Sequence, residues 1–257
     1  MKKLLLLVCM VFATLNCFAE SVYTYDLTKD VIIGAVSVGL TASSFFIDSS
    51  SNSASRDAVL RKSDVNAFDR SLMFDFNKPL DLTSTIATCG LAVLPVLSLG
   101  GNIKDFNAWV TYGIMYAESA LLVYGSSEIL KNTVMRYRPY FYSGEIPSGQ
   151  ESDYYKSFPS RHTAFAFMSA GFLTTTFFNE YPDSGWKIPL CAISYTLAAG
   201  IGAARVFSGN HFLSDVLTGA AIGSVYGYLI PWLHLRKDAD RVALTPMPNG
   251  LVVTLKF

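Results

Sequence analysis

Long apolar stretches constrain the fold of this 257-residue chain more than any other feature. None of them alternates apolar and polar residues as a half-buried strand does, and each is long enough to form a helix. Beyond residue 20 there are six such runs, at 31–47, 82–100, 109–130, 164–178, 188–206 and 216–235. The sequence therefore predicts an all-α fold, a bundle of about six helices.

The composition favours a membrane bundle over a soluble one. Apolar residues make up 51% of the chain and charged residues 16%, and the mean hydropathy is +0.34, well toward the membrane side of ordinary usage. Glycines recur along the runs, as in 219–228, and allow helices to approach closely. We expect a largely transmembrane bundle, although Glu118 and Glu128 lie within the third run. The balance of 20 basic and 20 acidic residues gives no reason to expect a nucleic-acid partner.

The two ends of the chain differ from its middle. Residues 1–19 combine two lysines, an apolar core and a terminal small residue, the layout of a secretory signal peptide cleaved after Ala19. The tail, 236–257, has two apolar segments around a Pro-Asn-Gly turn, which predicts a short β-hairpin that caps the bundle. Between these ends we distinguish N-terminal helices with a polar loop, 20–108, from a core, 109–235, that carries three polar clusters.

The first feature of these clusters is positive charge. Lys131, Arg138 and Arg205 each lie at the edge of an apolar run, where an unpaired charge is costly. A phosphate dianion would supply the missing partner, and the planar guanidinium group of arginine can bind two of its oxygens at once. Arg136, in contrast, is interpreted as an ordinary charge at the end of a helix.

Two histidines accompany the cations. His211 is followed four residues later by Asp215, and on a helix this spacing allows the carboxylate to hold one ring nitrogen and leave the other free as a nucleophile. His162 follows Ser160 at a predicted helix N-terminus, where backbone N–H groups and the serine hydroxyl can bind an anion. His162 itself would protonate a leaving oxygen. His234, between two leucines, is interpreted as structural.

A metal site made from the same residues is the main chemical alternative. Two histidines and an aspartate could bind zinc. The three cations beside them would repel the ion, however, and no further histidine or cysteine lies at ligand spacing. We therefore expect no metal and no cofactor in this site.

The three clusters resemble the signature of the type 2 phosphatidic acid phosphatase superfamily. This superfamily includes lipid phosphatases, secreted bacterial acid phosphatases and vanadium haloperoxidases. The residues that match its three motifs are, in order, Lys131, Arg138 and Pro139; Pro159, Ser160, Arg161 and His162; and Ala204, Arg205, His211 and Asp215. Two of them depart from the pattern, because Arg161 replaces a glycine and Ala204 replaces a serine.

The resemblance implies a metal-independent mechanism. By it, His211 attacks phosphorus to form a phosphohistidine, Asp215 orients His211, and His162 protonates the leaving alcohol and then activates water. The phosphate oxygens would be bound by a set of four basic side chains and one hydroxyl: Lys131, Arg138, Arg161, Arg205 and Ser160. Arg161 would either point away from the phosphate or add a cation.

The resemblance also implies a substrate class, a phosphorylated lipid in a bacterial envelope. Undecaprenyl diphosphate, phosphatidylglycerophosphate, phosphatidic acid and lipid A phosphates all fit such a site. The apolar runs favour an integral inner-membrane enzyme with a periplasmic site. A soluble periplasmic acid phosphatase, a haloperoxidase, and a catalytically silent membrane protein that binds or transports a phosphorylated lipid are the alternatives.

The number of membrane crossings conflicts with a periplasmic site. If the signal is cleaved and all six runs cross, the clusters come out on the cytoplasmic side. Basic residues after the last run, Arg236, Lys237 and Arg241, instead favour a cytoplasmic end there and hence a periplasmic site. We therefore expect run 31–47 to pack at the membrane surface without crossing.

Overall fold

The computed structural model describes residues 22–47, 60–99, 106–144, 146–148, 153–236, 242–247 and 250–255. The predicted signal peptide, 1–19, lies outside the described residues. So does most of the serine-rich part of the polar loop.

The described chain is mainly helical, as predicted. Its helices are α1 (Leu27–Phe46), α2 (Ala67–Arg70), α3 (Lys78–Leu99), α4 (Phe106–Val134), α5 (Arg161–Glu180), α6 (Lys187–Phe207) and α7 (Leu213–His234). The six long helices correspond to the six apolar runs, and most begin a few residues earlier. Helices begin in polar residues because the first turn needs capping groups; in α1, for example, the Asp26 side chain accepts a hydrogen bond from the backbone N–H of Lys29.

Helix α5 lies at the centre of the bundle, where its closest partner is α7. Three glycines of α7, spaced four residues apart, face α5 at Gly219, Gly223 and Gly227. A Cβ atom at Gly223 would lie 2.0 Å from the Ala164 carbonyl oxygen, and one at Gly227 would lie 2.4 Å from that of Met168. The small residues recognised in the sequence thus allow direct backbone contact between these helices.

Consecutive long helices run in opposite directions, so the same end of the bundle contains the start of one helix and the end of the next. At one end, α3, α5 and α7 begin and α4 and α6 end; we call this the pocket end. At the other end, which we call the distal end, the backbone N–H of Arg236 donates to the Val22 carbonyl at 2.9 Å. Residues just before α1 and just after α7 therefore share the distal end.

Helix α1 extends along the whole bundle and does not lie across its surface. Asn132, near the end of α4, donates to the Ser44 carbonyl at 3.0 Å, so α1 reaches the pocket end. By length and composition α1 is able to cross a membrane, as are α3, α6 and α7. The expectation that run 31–47 packs at the membrane surface without crossing stays a prediction, although this 20-residue helix is aligned with its neighbours and is long enough to cross an apolar layer.

Two short segments lie outside the helical bundle. Residues 242–247 and 250–255 are extended, and their pairing into the predicted β-hairpin stays a prediction. That this tail caps the bundle stays a prediction. In the polar loop, α2 forms the short helical turn that precedes α3.

Candidate active site

The three sequence clusters meet in one cavity at the pocket end. The cavity has a volume of about 320 Å³ and receives side chains from four helices and from the two loops that follow α4 and α6. It is lined by Asp81, Thr85, Glu128, Lys131, Arg138, Asp153, Lys156, Arg161, His162, Arg205, Asn210 and His211. Five of these are basic and three acidic, so the lining has an excess of positive charge that suits a dianion.

The tautomer of His211 follows from its two hydrogen-bond partners. Its Nδ1 lies 2.7 Å from the Ser157 carbonyl oxygen, which can only accept, so Nδ1 carries the proton. Its Nε2 lies 3.3 Å from Nη1 of Arg138, which can only donate. The lone pair of the imidazole ring is therefore on Nε2, which faces the cavity.

The loop between α6 and α7 positions His211. Its residue Gly209 adopts a φ of 69°, in the left-handed region that glycine tolerates best. A Cβ atom there would also lie 2.6 Å from the Asp75 carbonyl oxygen. This tight turn places His211, which is only 1% exposed, beside the Arg138 guanidinium group.

The predicted direct contact between Asp215 and His211 is not formed. His211 precedes α7 by two residues, so the pair does not share a helical face, and Asp215 Oδ2 lies 3.8 Å from His211 Nδ1. Instead, Oδ2 accepts from the Ser157 hydroxyl at 2.5 Å and from the Phe212 backbone N–H at 2.8 Å. Asp215 and the His211 ring are therefore connected through Ser157, whose hydroxyl donates to the carboxylate and whose carbonyl accepts from the ring.

Arg136, interpreted from the sequence as an ordinary charge, belongs to this network. One of its terminal nitrogens donates to Asp215 Oδ1 at 2.6 Å, and the other donates to Asp69 Oδ2 at 2.7 Å. Asp69 is 1% exposed and also accepts from the Ser214 backbone and hydroxyl at 2.9 and 2.7 Å. Burial raises the pKa of Asp69, but the hydrogen bonds from Arg136, Asn66 and Ser214 hold it below its ordinary value. This network links α2 to the start of α7.

Each arginine of the cavity has a carboxylate partner. Arg138 donates to Asp153 at 2.5 Å, Arg205 donates to Asp81, and Arg161 donates to Glu128. Burial raises the pKa of Asp153, but the charges of Arg138 and Lys131 outweigh this effect and hold it below its ordinary value. The acidic residues thus neutralise part of the positive charge, as expected for cations at the edge of an apolar bundle.

Two buried cations retain groups that can bind a ligand. Lys131 is 4% exposed, and its Nζ donates to the Lys156 carbonyl at 2.5 Å, which leaves two further N–H donors. Arg205 is 2% exposed, and its Nε has no partner among the described residues. An unsatisfied buried donor is costly, and a phosphate oxygen would remove that cost.

His162 lies in the first turn of α5, on the wall of the cavity. Its Nε2 is 3.3 Å from the Thr85 hydroxyl on α3. Ser160, predicted to bind the anion through its hydroxyl, is not part of the cavity lining. Its Oγ lies 2.8 Å from the Thr163 hydroxyl, and its backbone N–H donates to the Asp215 carbonyl at 3.0 Å. Ser160 therefore ties α5 to α7.

The cations lower the basicity of His211. Burial lowers its pKa first, and the positive charges of Arg138, Arg205 and Lys131 lower it further, so the pKa lies well below the ordinary value of 6.5. The ring is consequently neutral at physiological pH, the form in which Nε2 is a nucleophile.

Sequence reasoning missed the acidic partners and the network around Asp215. Asp69 and Asp81 lie far from the three clusters in the sequence, Glu128 lies inside a helix, and Asp153 lies in the loop between the first two clusters, so spacing alone gives no signal for them. Arg136 could have been found, because an arginine two residues before Arg138 has the same reach into the pocket end.

The fold and the site define a class, a helical bundle of the membrane type with a cationic cavity that suits a dianion. The family model of the PAP2 superfamily matches residues 112–239. The chain belongs to this superfamily.

Curated relatives with different names match parts of this chain. A lipid A 1-phosphatase of Porphyromonas gingivalis is 41% identical over 78 residues, 30% of this chain and 16% of that protein. A probable diacylglycerol pyrophosphate phosphatase of Schizosaccharomyces pombe is 28% identical over 202 residues, covering 62% of this chain and 72% of that protein. The bacitracin transport permease protein BcrC of Bacillus licheniformis is 30% identical over 123 residues, covering 46% of this chain and 54% of that protein. The match therefore spans only a small part of the first relative.

Solved structures also resemble the chain. A transmembrane PAP2-type phosphatidylglycerolphosphate phosphatase from Bacillus subtilis is 23% identical with a TM-score of 0.45, and covers 80% of this chain and 96% of that one. LpxE of Aquifex aeolicus is 24% identical with a TM-score of 0.41, and the match covers 69% of this chain and 98% of that one.

Proposed function

We propose that the protein is a metal-independent phosphatase that hydrolyses a lipid phosphate or diphosphate through a phosphohistidine. The observation that carries this proposal is the state of His211. Its Nδ1–H donates to the Ser157 carbonyl, and its unprotonated Nε2, 3.3 Å from Arg138 Nη1, faces the cationic cavity. A buried neutral imidazole with a fixed tautomer, beside a site for a dianion, is suited to attack on phosphorus.

The first chemical step transfers the phosphoryl group to His211. Nε2 forms a bond to phosphorus while the bond from phosphorus to the leaving oxygen breaks, and the electron pair leaves with that oxygen. His162, whose protonated form is favoured by the negative charge of the bound phosphate, gives its proton to the departing oxygen. The guanidinium groups of Arg138 and Arg205 and the Lys131 ammonium stabilise the negative charge on the equatorial oxygens.

The second step reverses the roles. Neutral His162 takes a proton from water as the water oxygen attacks phosphorus, and the bond from phosphorus to Nε2 breaks. Inorganic phosphate leaves and both histidines return to their initial states. The Asp215 carboxylate, acting through Ser157, stabilises the positive charge that His211 carries in the phosphorylated state.

An apolar groove beside the cavity supports a lipid substrate. It lies between α3 and α6, has a volume of about 480 Å³ and is lined mainly by small and apolar residues from Thr83 to Leu94 and from Thr196 to Ala204. Ser84, one of its lining residues, accepts a hydrogen bond at 3.1 Å from Arg205, which lines the cavity, so the groove adjoins the proposed phosphate site. The lining stretch of α3 rises about 16 Å, about half of a ~30 Å hydrocarbon core. An acyl or prenyl chain from one leaflet would therefore fit along it.

The names of two of the curated relatives agree with this substrate class. They specify lipid A and diacylglycerol pyrophosphate for those proteins. For this chain we propose the same general class, a phosphate group on a membrane lipid, with phosphatidylglycerophosphate, undecaprenyl diphosphate and phosphatidic acid as further members to be tested.

We propose that the pocket end faces the periplasm from the inner membrane. Support comes from the basic residues Arg236, Lys237 and Arg241, which follow α7 and favour a cytoplasmic distal end. Because residue 22 pairs with residue 236, the start of α1 would then also be cytoplasmic. Cleavage after Ala19 by a periplasmic peptidase would place the start of α1, and with it the distal end, in the periplasm. If all six long helices cross, the pocket end would then be cytoplasmic. On this proposal, therefore, residues 1–19 are not removed.

Phosphate release by the detergent-purified protein tests the proposed function. The wild type and a His211→Ala variant are compared in EDTA, on a panel of lipid phosphates and on a soluble aryl phosphate. We expect release from lipids by the wild type only, together with acid-labile phosphate bound to the wild type during turnover. Full activity in His211→Ala would refute the nucleophile, and no release from any substrate by the wild type would favour a silent lipid-binding relative.

A further inference from the structure

A second cluster of ionisable side chains lies at the distal end of the bundle. It consists of Asp30 in the first turn of α1, Glu118 in α4 and His234, the last residue of α7. All three are at most 5% exposed. Because the 22 residues of α7 span about 33 Å, this cluster and the phosphate site lie at opposite ends of the bundle.

The histidine of the cluster has the orientation found in metal-bound histidines. His234 Nδ1 lies 2.8 Å from the Ile230 carbonyl oxygen, so Nδ1 carries a proton and Nε2 points away from the helix. A ligating imidazole commonly donates its other N–H to a carbonyl in this way, which fixes the tautomer. Nε2 faces Asp30 Oδ1, with which it is in direct contact, and Glu118 Oε2 at 3.6 Å.

The charges of the cluster are not balanced by the histidine. A proton on Nε2 would neutralise one carboxylate, whereas two carboxylates are buried. Glu118 Oε2 has no hydrogen-bond donor among the described residues, although Glu118 is only 5% exposed. The nearby ammonium group of Lys29 donates to the Leu233 carbonyl at 3.0 Å. An unsatisfied carboxylate oxygen in such a position is strongly destabilising.

A divalent cation would satisfy all three groups at once. One ligand atom from each residue lies within 4.8 Å of the others. Tetrahedral coordination at about 2.1 Å would require separations of about 3.4 Å between ligand atoms, so Asp30 and His234 must separate slightly and Glu118 must move closer. One imidazole and two carboxylates form a ligand set for first-row divalent ions.

We propose that Asp30, Glu118 and His234 bind a divalent first-row cation, such as Zn²⁺ or Mn²⁺, that joins α1 to α4 and α7 at the distal end. The ion is structural and takes no part in the phosphoryl transfer. It would explain how three ionisable groups are tolerated inside an apolar bundle, and it is independent of the function proposed above.

Metal analysis of the purified full-length protein tests this site. The protein carries an affinity tag without histidine, is purified without chelator and is analysed by mass spectrometry of its metals. We expect about one zinc, manganese or iron ion per chain. Glu118→Gln, which keeps the shape of the side chain, and His234→Ala are expected to lower the content at least about tenfold, within the ~10- to 100-fold range seen when ligand shells are altered. His162→Ala, in the phosphate site, is the matched control and should keep the metal.

A titration removes the ambiguity of metal lost during purification. The wild-type protein is treated with EDTA, dialysed and titrated with Zn²⁺ and with Mn²⁺. Binding is measured as the heat released or absorbed in isothermal titration calorimetry, and stability is measured as the thermal unfolding temperature. Saturable binding at one site, with a rise in the unfolding temperature that His234→Ala does not show, supports the proposal. If neither ion binds at a single site, or if His234→Ala and Glu118→Gln bind as the wild type does, the cluster is a buried ion pair and the proposal is wrong. Phosphatase activity is measured separately, and its presence or absence does not enter either criterion.

Discussion

At the scale of single residues, the phosphate site is built in two layers with different tasks. His211 and the cations face the cavity, whereas Asp215, Ser157 and Arg136 lie behind them. On the proposed mechanism, the three residues behind the cavity do not touch the substrate, and they act by fixing the tautomer of His211 and the position of the loop that carries it. Arg136 is the connection between Asp215 and Asp69, so it stabilises two buried carboxylates at once.

Substitution of Arg136 tests this positioning role. We expect Arg136→Gln to lower kcat by about 10- to 100-fold, or roughly 1.4 to 2.8 kcal/mol, with a smaller change in KM, because Asp215 loses its partner and binds Ser157 less well. Steady-state kinetics and the acid-labile phosphoenzyme level measure the effect. Arg70→Gln, an exposed arginine of α2, is the control. Equal activity of both variants would contradict the role.

The protonation of His211 gives a second prediction at this scale. Because burial and the cations lower its pKa, the ring should stay neutral when the pH falls through about 6.5, where a free imidazole is half protonated. Nitrogen NMR of histidine-labelled protein measures this directly, since the chain has only three histidines. The spectrum of His211→Gln identifies the signal. A midpoint near the value of a free imidazole would show that the cavity is more open to water than the structure indicates.

At the scale of elements, the glycines of the helices serve two different purposes. Those of α7 that face α5 allow backbone contact. Gly90 in α3 and Gly200 in α6 instead border the apolar groove, and a Cβ atom added at either position would have no neighbouring atom within 4 Å. The first group determines stability, and the second leaves space for a ligand. The two groups therefore respond differently to the same substitution.

Alanine at Gly223 should destabilise the bundle. Its Cβ would lie 2.0 Å from the Ala164 carbonyl oxygen, so α5 and α7 must move apart, at a cost of roughly 1–3 kcal/mol or more. Gly200→Ala meets open space and should be neutral or slightly stabilising, since alanine favours helix over glycine. The folded fraction after heating, measured by size-exclusion chromatography in detergent, compares the two. A Gly223→Ala protein as stable as wild type would contradict the close packing of α5 and α7.

Filling the groove should separate lipid from soluble substrates. We expect Gly200→Leu to reduce the rate on lipid phosphates at least about tenfold, since a lipid chain can no longer lie between α3 and α6, and to leave the rate on a soluble aryl phosphate within about twofold. Gly39→Leu adds the same side chain to open space on α1 and is the control. An equal loss on both substrates would indicate damage to the phosphate site and not to a lipid groove.

At the scale of the whole molecule, the antiparallel arrangement of consecutive helices means that the side of the membrane on which one end lies also determines the side for the other end. The start of α1 and the end of α7 lie together at the distal end, and every residue of the phosphate site lies at the pocket end. The location of either end therefore specifies the other. This is why a cleaved signal peptide and a periplasmic site are incompatible when all six long helices cross.

Reporter fusions determine the orientation. We expect a reporter placed after residue 236 to be active in the cytoplasm and one inserted at residue 52, between α1 and α2, to be active in the periplasm. Intact-mass measurement of the purified protein should then show residues 1–19 still present. A periplasmic reporter after residue 236, together with a mass that lacks residues 1–19, would mean that the pocket end is cytoplasmic.

The sequence by itself determined the long helices and, among the residues that line the cavity, four basic side chains and two histidines: Lys131, Arg138, Arg161, Arg205, His162 and His211. Apolar runs specify helices because the period and length of their hydrophobic residues are local properties, and the charged residues of the three clusters are recognisable because cations beside apolar helices need an anionic partner. Only the tertiary structure decided how His211 is held, since the Ser157 carbonyl and Arg136 come from other segments. It also decided that α1 runs the full length of the bundle and that Asp30, Glu118 and His234 meet, because contacts between residues about 90 to 200 positions apart depend on how the helices pack and not on any local pattern.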